Sequence, residues 1–199
     1  MPKVTLPLLL IALAALAATA PAAPIPDDAK GPVLYFPTAR GAAWEYESGD
    51  TVLTWVVTDV ATAGGKTRVS VRRGETGRGV YDVSAGGVTM VSDNGAPYRP
   101  GWHLLQLPAD PAAGWVYDTG RADGKRPEDR QVGKAWVGGR GRVRVPAGTY
   151  PAVRVESEAV FRGQVIRATS WYSPGVGLVR HDSNGHTVMA LRSFTPGKN

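Results

Sequence analysis

The chain reads as all-β: a single strongly curved antiparallel sheet, half-barrel or open barrel, with no substantial helix in the mature domain. Three observations predict this. No segment after residue 33 repeats its apolar residues with the helical period of about 3.6. β-branched and aromatic runs recur between Gly-rich turns. Several runs alternate apolar with polar residues, as a strand with one buried face must. Their spacing gives roughly eight to eleven strands.

At the N-terminus, Lys3 precedes a mostly apolar run from Leu6 to Ala18, broken only by Pro7, and then Ala18-Thr19-Ala20 and Ala20-Pro21-Ala22. A charged start, an apolar stretch and an Ala-x-Ala end predict a secretory signal over residues 1–22, cut near Ala22 because Pro21 disfavours a cut after Ala20. The run is too short for a membrane-spanning helix, which needs about 20 apolar residues. With no cysteine in the chain, no disulfide forms and no lipid attaches at a Cys. The expectation is a secreted or periplasmic protein without membrane span or lipid anchor. Residues 23–32, rich in Pro, Ala and Asp, read as a disordered leader, and 33–199 as a single β domain. A chain of this size buries about 70% of its unfolded surface, enough for a core without staples.

Lys and Arg number 23 against 17 Asp and Glu, a formal charge of +6 that falls to +5 when Lys3 leaves with the signal. Such a charge attracts anionic surfaces and polymers. Spread along the chain, it is also the ordinary charge of a solvated surface.

Thr51 to Val60 is rich in β-branched residues, with Leu53, Trp55 and Val57 on one face, and a Gly64-Gly65 turn leads to the alternating Thr67–Arg72. Val80–Ala85 and Val88–Ser92 flank Gly86-Gly87 as a second hairpin, ended by Asp93-Asn94-Gly95. An internal echo is present: Phe36-Pro37 precedes Trp44-x-Tyr46, and Leu107-Pro108 precedes Trp115-x-Tyr117 at the same spacing, 71 residues on. Two readings stand, one unit used twice or chance in a chain rich in Pro and Trp. Residues 118–134 hold almost no apolar residue and read as a polar loop.

The C-terminal third is the most legible. A turn at Gly163-Gln164 sets Val155, Ser157, Ala159 and Phe161 on one face with Ile166, Ala168, Ser170 and Tyr172. Glu158 then lies diagonal to Arg167. Trp171-Tyr172-Ser173-Pro174-Gly175-Val176-Gly177 forces a sharp corner: Pro174 removes a donor, and Gly175 and Gly177 allow positive φ. A last hairpin runs Leu178–His181, turns over Asp182-Ser183-Asn184-Gly185 and returns from His186 to Phe194.

Val145-Pro146-Ala147-Gly148-Thr149-Tyr150, followed by Trp171-Tyr172-Ser173-Pro174-Gly175-Val176-Gly177-Leu178-Val179-Arg180 and preceded by Gly41, Trp44 and Tyr46, resembles a family of bacterial secreted and envelope proteins. The resemblance covers residues 135–195 best and 35–60 more loosely. It implies an antiparallel β fold outside the cytoplasm, and is more remotely similar to the curved half-barrels of periplasmic lipoprotein carriers. It carries no catalytic residues over. Many members are lipoproteins anchored at an N-terminal Cys, a pattern from which this chain departs.

For chemistry, His181, Asp182 and His186 flank one turn, and with His103 they make the one candidate zinc set, though at no established ligand spacing. The turn residues are equally explained as turn chemistry. No catalytic nucleophile is evident, since no Cys exists and no Ser lies in Gly-x-Ser-x-Gly. No metal or cofactor is therefore expected. Arg140, Arg142 and Arg144 alternate along one strand face, with Arg154 continuing it: a basic face for phosphate or acidic glycan, or an outer face balanced by Glu156 and Glu158. A sheet that reads nucleic acid needs several aromatics on that face; Trp171 is one, so no nucleic-acid partner is expected. The leading expectation is a non-catalytic domain that binds an apolar ligand or envelope component on its concave face, where some of the six Trp and seven Tyr would line a hollow. The alternatives are a polyanion- or glycan-binding module using the Arg face and a metal-dependent hydrolase.

Overall fold

The computed structural model describes residues 32–108, 114–120 and 130–198. The expected export signal, residues 23–31 of the leader and 121–129 of the polar loop lie outside the described residues. Twelve strands follow in order: β1 (Ala43–Ser48), β2 (Thr51–Ala63), β3 (Lys66–Arg73), β4 (Gly77–Ser84), β5 (Gly87–Asp93), β6 (Ala96–Gln106), β7 (Trp115–Thr119), β8 (Gln131–Val145), β9 (Gly148–Phe161), β10 (Gln164–Ser173), β11 (Gly177–Ser183) and β12 (His186–Thr195). The described residues contain no helix.

All twelve belong to one antiparallel sheet, ordered β6-β5-β4-β3-β2-β1-β12-β11-β10-β9-β8-β7. The chain thus makes two six-strand meanders, joined where β1 pairs with β12. The two outer strands, β6 and β7, come back alongside each other, so the sheet nearly closes into a barrel. No backbone ladder joins them. Trp115 Nε1 donates to the His103 carbonyl (3.1 Å) and Thr119 Oγ1 to the Pro100 carbonyl (3.4 Å) across the seam. The echoed Trp-x-Tyr pairs open β1 and β7, the first strand of each meander.

The strand count exceeds the expected eight to eleven, and β6 and β7 explain the excess. Pro97 and Pro100 argue against a strand inside a sheet, but on an outer strand the missing N–H costs nothing. Pairing also reaches into the stretch read as a polar loop: Asp118 sits opposite Val132 and Thr119 opposite Gln131, with Arg130 bonded to the Asp118 carboxylate. One two-residue turn lies a residue earlier than expected, and another turn has two residues where four were expected. Arg162-Gly163 (φ 48° and 75°) joins β9 to β10, and Asn184-Gly185 (φ 49° and 83°) joins β11 to β12, each with two residues at positive φ as a twisted hairpin prefers. The β9–β10 register therefore lies two residues from the expected one, with Ala159 opposite Ile166, but the faces are those anticipated. Glu158 is directly opposite Arg167 and accepts from its Nε at 3.0 Å.

A ring of eight strands is just filled by its own side chains; twelve enclose more room than side chains fill. Two devices fill one end. The segment before β1 inserts Phe36, which packs on Tyr81 (centroids 4.9 Å apart) and Trp44 (5.5 Å). The β8–β9 hairpin bends at a bulge around Gly138-Gly139 (Gly139 φ 134°), and its tip reaches across to β12, where Ala147 N donates to the Leu191 carbonyl at 2.9 Å. Val143, Val145, Tyr150 and Ala152 are thereby buried. Inside this end, Trp44 Nε1 donates to the Val176 carbonyl (2.6 Å) and the Tyr46 hydroxyl to the Leu178 carbonyl (2.8 Å). Burial, then the neighbouring Tyr81 and Tyr172, holds the Tyr46 hydroxyl well above its usual pKa, so it remains a donor.

The corner after β10 meets the same end. Gly175 (φ 69°) donates to the Leu34 carbonyl at 2.7 Å, and Gly177 (φ 89°) lies so close to Phe36 that a Cβ there would sit 3.4 Å from its ring. Gly177→Ala is expected to cost about 1 kcal/mol or more through backbone strain, lowering Tm by about 2–4 °C. A thermal melt unchanged from wild type would show that the corner tolerates a side chain.

Candidate functional site

The other part of the barrel is hollow. A cavity of about 380 Å³ is walled by aromatic and aliphatic side chains, among them Trp55, Tyr81, Trp102, Tyr117, Phe161 and Ile166. Phe36 lines it as well, on the side of the filled end. Strand alternation delivers this wall: Val155, Ser157, Ala159 and Phe161 of β9 and Ile166, Ala168, Ser170 and Tyr172 of β10 all point inward. No Lys, Arg, Asp or Glu among the described residues lines it.

Its polar groups are few. Ser170 Oγ lies 2.9 Å from His181 Nδ1, and the two residues are directly opposite on β10 and β11. His181 is flanked on β12 by Met189, also a wall residue. Burial pushes the His181 imidazole below its ordinary pKa, partly opposed by Asp182, so the ring is held neutral. Tyr117 interacts with Ser157, and burial raises its hydroxyl pKa. The Tyr81 hydroxyl is buried beside Arg73 without a hydrogen bond of good geometry, and burial raises its pKa while Arg73 opposes. Arg73 itself is held by Asp93 and lies over the Trp55 ring, 5.7 Å from its centroid.

The three histidines do not converge. His181 and His103 both border the hollow, but His181 is bonded to Ser170 and His103, on β6, to Thr89 (2.9 Å each), and His186 is exposed beside the β11–β12 turn. Asp182 is paired with Arg180 at 2.8 Å rather than with an imidazole. The two-residue turn at Asn184-Gly185 separates the two histidines that a four-residue turn would have faced: His186 opposes Ser183, and beyond a bulge His181 opposes Met189. The pairing of Ser170 with His181 is not legible in the sequence, because it follows only from the corner between Ser173 and Gly177 and the bulge at Trp171. As a catalytic pair they lack a third member: His181 Nε2 has no protein partner among the described residues to orient the ring.

The four arginines of the basic face divide. Arg154 is paired with Glu156 (3.0 Å) and donates to the Gly138 carbonyl, and Arg140 donates to the Tyr35 hydroxyl at 3.0 Å. Arg142 and Arg144 are exposed, with no ion-pair partner among the described residues. Trp171 points outward between Arg154 and Arg180, the latter 5.0 Å over its ring. A second outer feature is a groove at β7–β10 where Val116, Val132, Val160 and Val165 are exposed.

No family model matches the chain, and no curated protein does. Solved structures do share its fold. A "putative lipoprotein" from Parabacteroides distasonis ATCC 8503 superposes with a TM-score of 0.52 at 16% identity, covering 83% of this chain and 100% of that one. A "putative exported protein with YmcC-like fold" from Bacteroides fragilis NCTC 9343 gives 0.52 at 14% identity, covering 82% and 99%.

Because the folded chain holds His181 neutral, the unfolded chain binds a proton that the folded one refuses once pH drops below the ordinary imidazole value of 6.5. Stability contributed by burying the neutral ring is present above that value and is lost as pH falls through it. Between pH 8 and 5.5, wild-type Tm is expected to fall more than that of His181→Asn. Parallel Tm profiles for the two would place His181 in contact with bulk water.

Proposed function

We propose that this protein is a non-catalytic, exported β domain that holds an apolar ligand inside its barrel. One observation carries the reading: the hollow of about 380 Å³ whose walls are aromatic and aliphatic and include no Lys, Arg, Asp or Glu. Apolar concave surface with a few polar groups is the usual make-up of a small-molecule site. At about 30 Å³ per water-sized group, the space takes about a dozen methylenes. Two solved neighbours at the level of fold, described as exported or lipoprotein, support placement outside the cytoplasm, in line with the expected signal sequence. The reading as non-catalytic draws support from the unaccompanied Ser170–His181 pair.

Native mass spectrometry of the purified protein should show a co-purifying lipid-sized mass, and intrinsic Trp fluorescence should respond saturably to a twelve-carbon amphiphile at micromolar concentration. Ala168→Phe narrows the hollow and is expected to weaken that binding by about tenfold or more, at about 0.8 kcal/mol for each methylene displaced, with Tm maintained. No co-purifying mass and no saturable response would end the carrier reading. The second reading, anionic glycan binding, is favoured by the unpaired Arg142 and Arg144 and would show as salt-dependent retention on heparin, lost on substituting both.

A further inference from the structure

The hollow is selective in its polar groups. Among the described residues neither carboxylate nor fixed cation lines it, so an ionised ligand group would enter without a partner. Yet it is not uniformly apolar: Gln131 and His103 line it, His103 exposed and bonded through Nδ1 to Thr89, and the more enclosed His181 lines it as well. The Nδ1 of His181 is taken by Ser170 at 2.9 Å, whose hydroxyl also interacts with that of Tyr172. Nε2 has no partner among the described residues. The groups beside the imidazole are Ser170 opposite on β10, itself bonded to Tyr172, Met189 opposite on β12, and Asp182 from its own strand, whose carboxylate is occupied by Arg180.

The tautomer decides what Nε2 offers. If Nδ1 carries the proton and donates to Ser170, Nε2 is an acceptor; if Ser170 donates to Nδ1, Nε2 carries the proton and donates. A hydroxyl satisfies either state, because it both donates and accepts. A carboxylate satisfies only one and brings an unpaired charge into the cavity, while a hydrocarbon end satisfies neither. We propose that the hollow selects an uncharged amphiphile, a single apolar chain bearing a hydroxyl head, with His181 Nε2 as the hydrogen-bonding partner of that hydroxyl. This inference rests on the carrier reading above.

The test uses three probes of one chain length with a heavy-atom quencher: 12-bromododecan-1-ol, 12-bromododecanoic acid and 1-bromododecane. Each is titrated into the full protein at pH 8, where the acid is ionised, and quenching of Trp fluorescence is read, since Trp55 and Trp102 line the hollow. The alcohol is expected to bind about fivefold tighter than the bromoalkane, the worth of about one neutral hydrogen bond, and about tenfold tighter than the carboxylate. In His181→Phe the alcohol should fall to the affinity of the bromoalkane, whose own binding stays within about twofold. Should that variant fail to fold, the ranking of the three probes on wild type decides alone. Alcohol and bromoalkane binding equally, or the carboxylate binding as tightly as the alcohol, overturns the inference and leaves the carrier reading intact. Absence of saturable quenching by all three overturns both.

Discussion

The structure depends on two side-chain hydrogen bonds that step over an intervening strand, β12, rather than run along the ladders. Trp44 and Tyr46, on the strand that begins the first meander, donate to the carbonyls of Val176 and Leu178, 132 residues later. Each ring is fully buried, and each polar atom would be costly to bury unpaired. Together they fix how far β1 stands from the corner before β11, and hence the bore of the barrel at that end. Phe36, Leu191 and Val179 pack into the space so defined. What remains empty is the portion that these side chains do not reach, so the hollow is as much a product of the filled end as of its own walls.

Much of this was legible in the sequence. Alternation over 155–172 placed the inner and outer faces of two strands correctly, because a period of two survives a register error of two. The Pro174-Gly175-Val176-Gly177 corner was readable from backbone chemistry alone, and the structure gives both glycines positive φ. Other features were hidden for identifiable reasons. Bulges at Val88, Met90, Trp171 and His181 each break alternation, so the facing partners of those strands do not follow by counting. The hollow itself needs side chains from many strands, and no local pattern distinguishes a Trp that lines a cavity from one that fills a core: Trp55 and Trp44 sit opposite each other on paired strands, yet Trp55 borders the cavity and Trp44 is sealed.

Most ion pairs lie on the outside; the Arg73–Asp93 pair, beside Trp55 and Tyr81, is the exception among the described residues. The ion pairs Arg40–Asp59, Arg68–Asp82 and Arg167–Glu158 lie on the outside, where water screens them and each contributes little. The polar groups of the cavity wall are hydroxyls, the Gln131 amide and the imidazoles of His103 and His181. Among the described residues, Arg142 and Arg144 add positive charge to the exterior, away from the hollow. Partners recognised by charge and partners recognised by apolar contact would meet different sides of the same sheet.

The seam between β6 and β7 has a mechanical consequence. Everywhere else around the ring, widening the circumference means breaking a ladder of backbone hydrogen bonds, a cooperative event. At the seam it means stretching two side-chain bonds, from Trp115 and Thr119, and sliding Trp102 against Tyr117. The barrel is thus a split collar, stiff around most of its hoop and compliant at one slit. A change in the bore of the hollow would be taken up at that slit, beside Trp102 and Tyr117 of the cavity wall, while the other ladders keep their register.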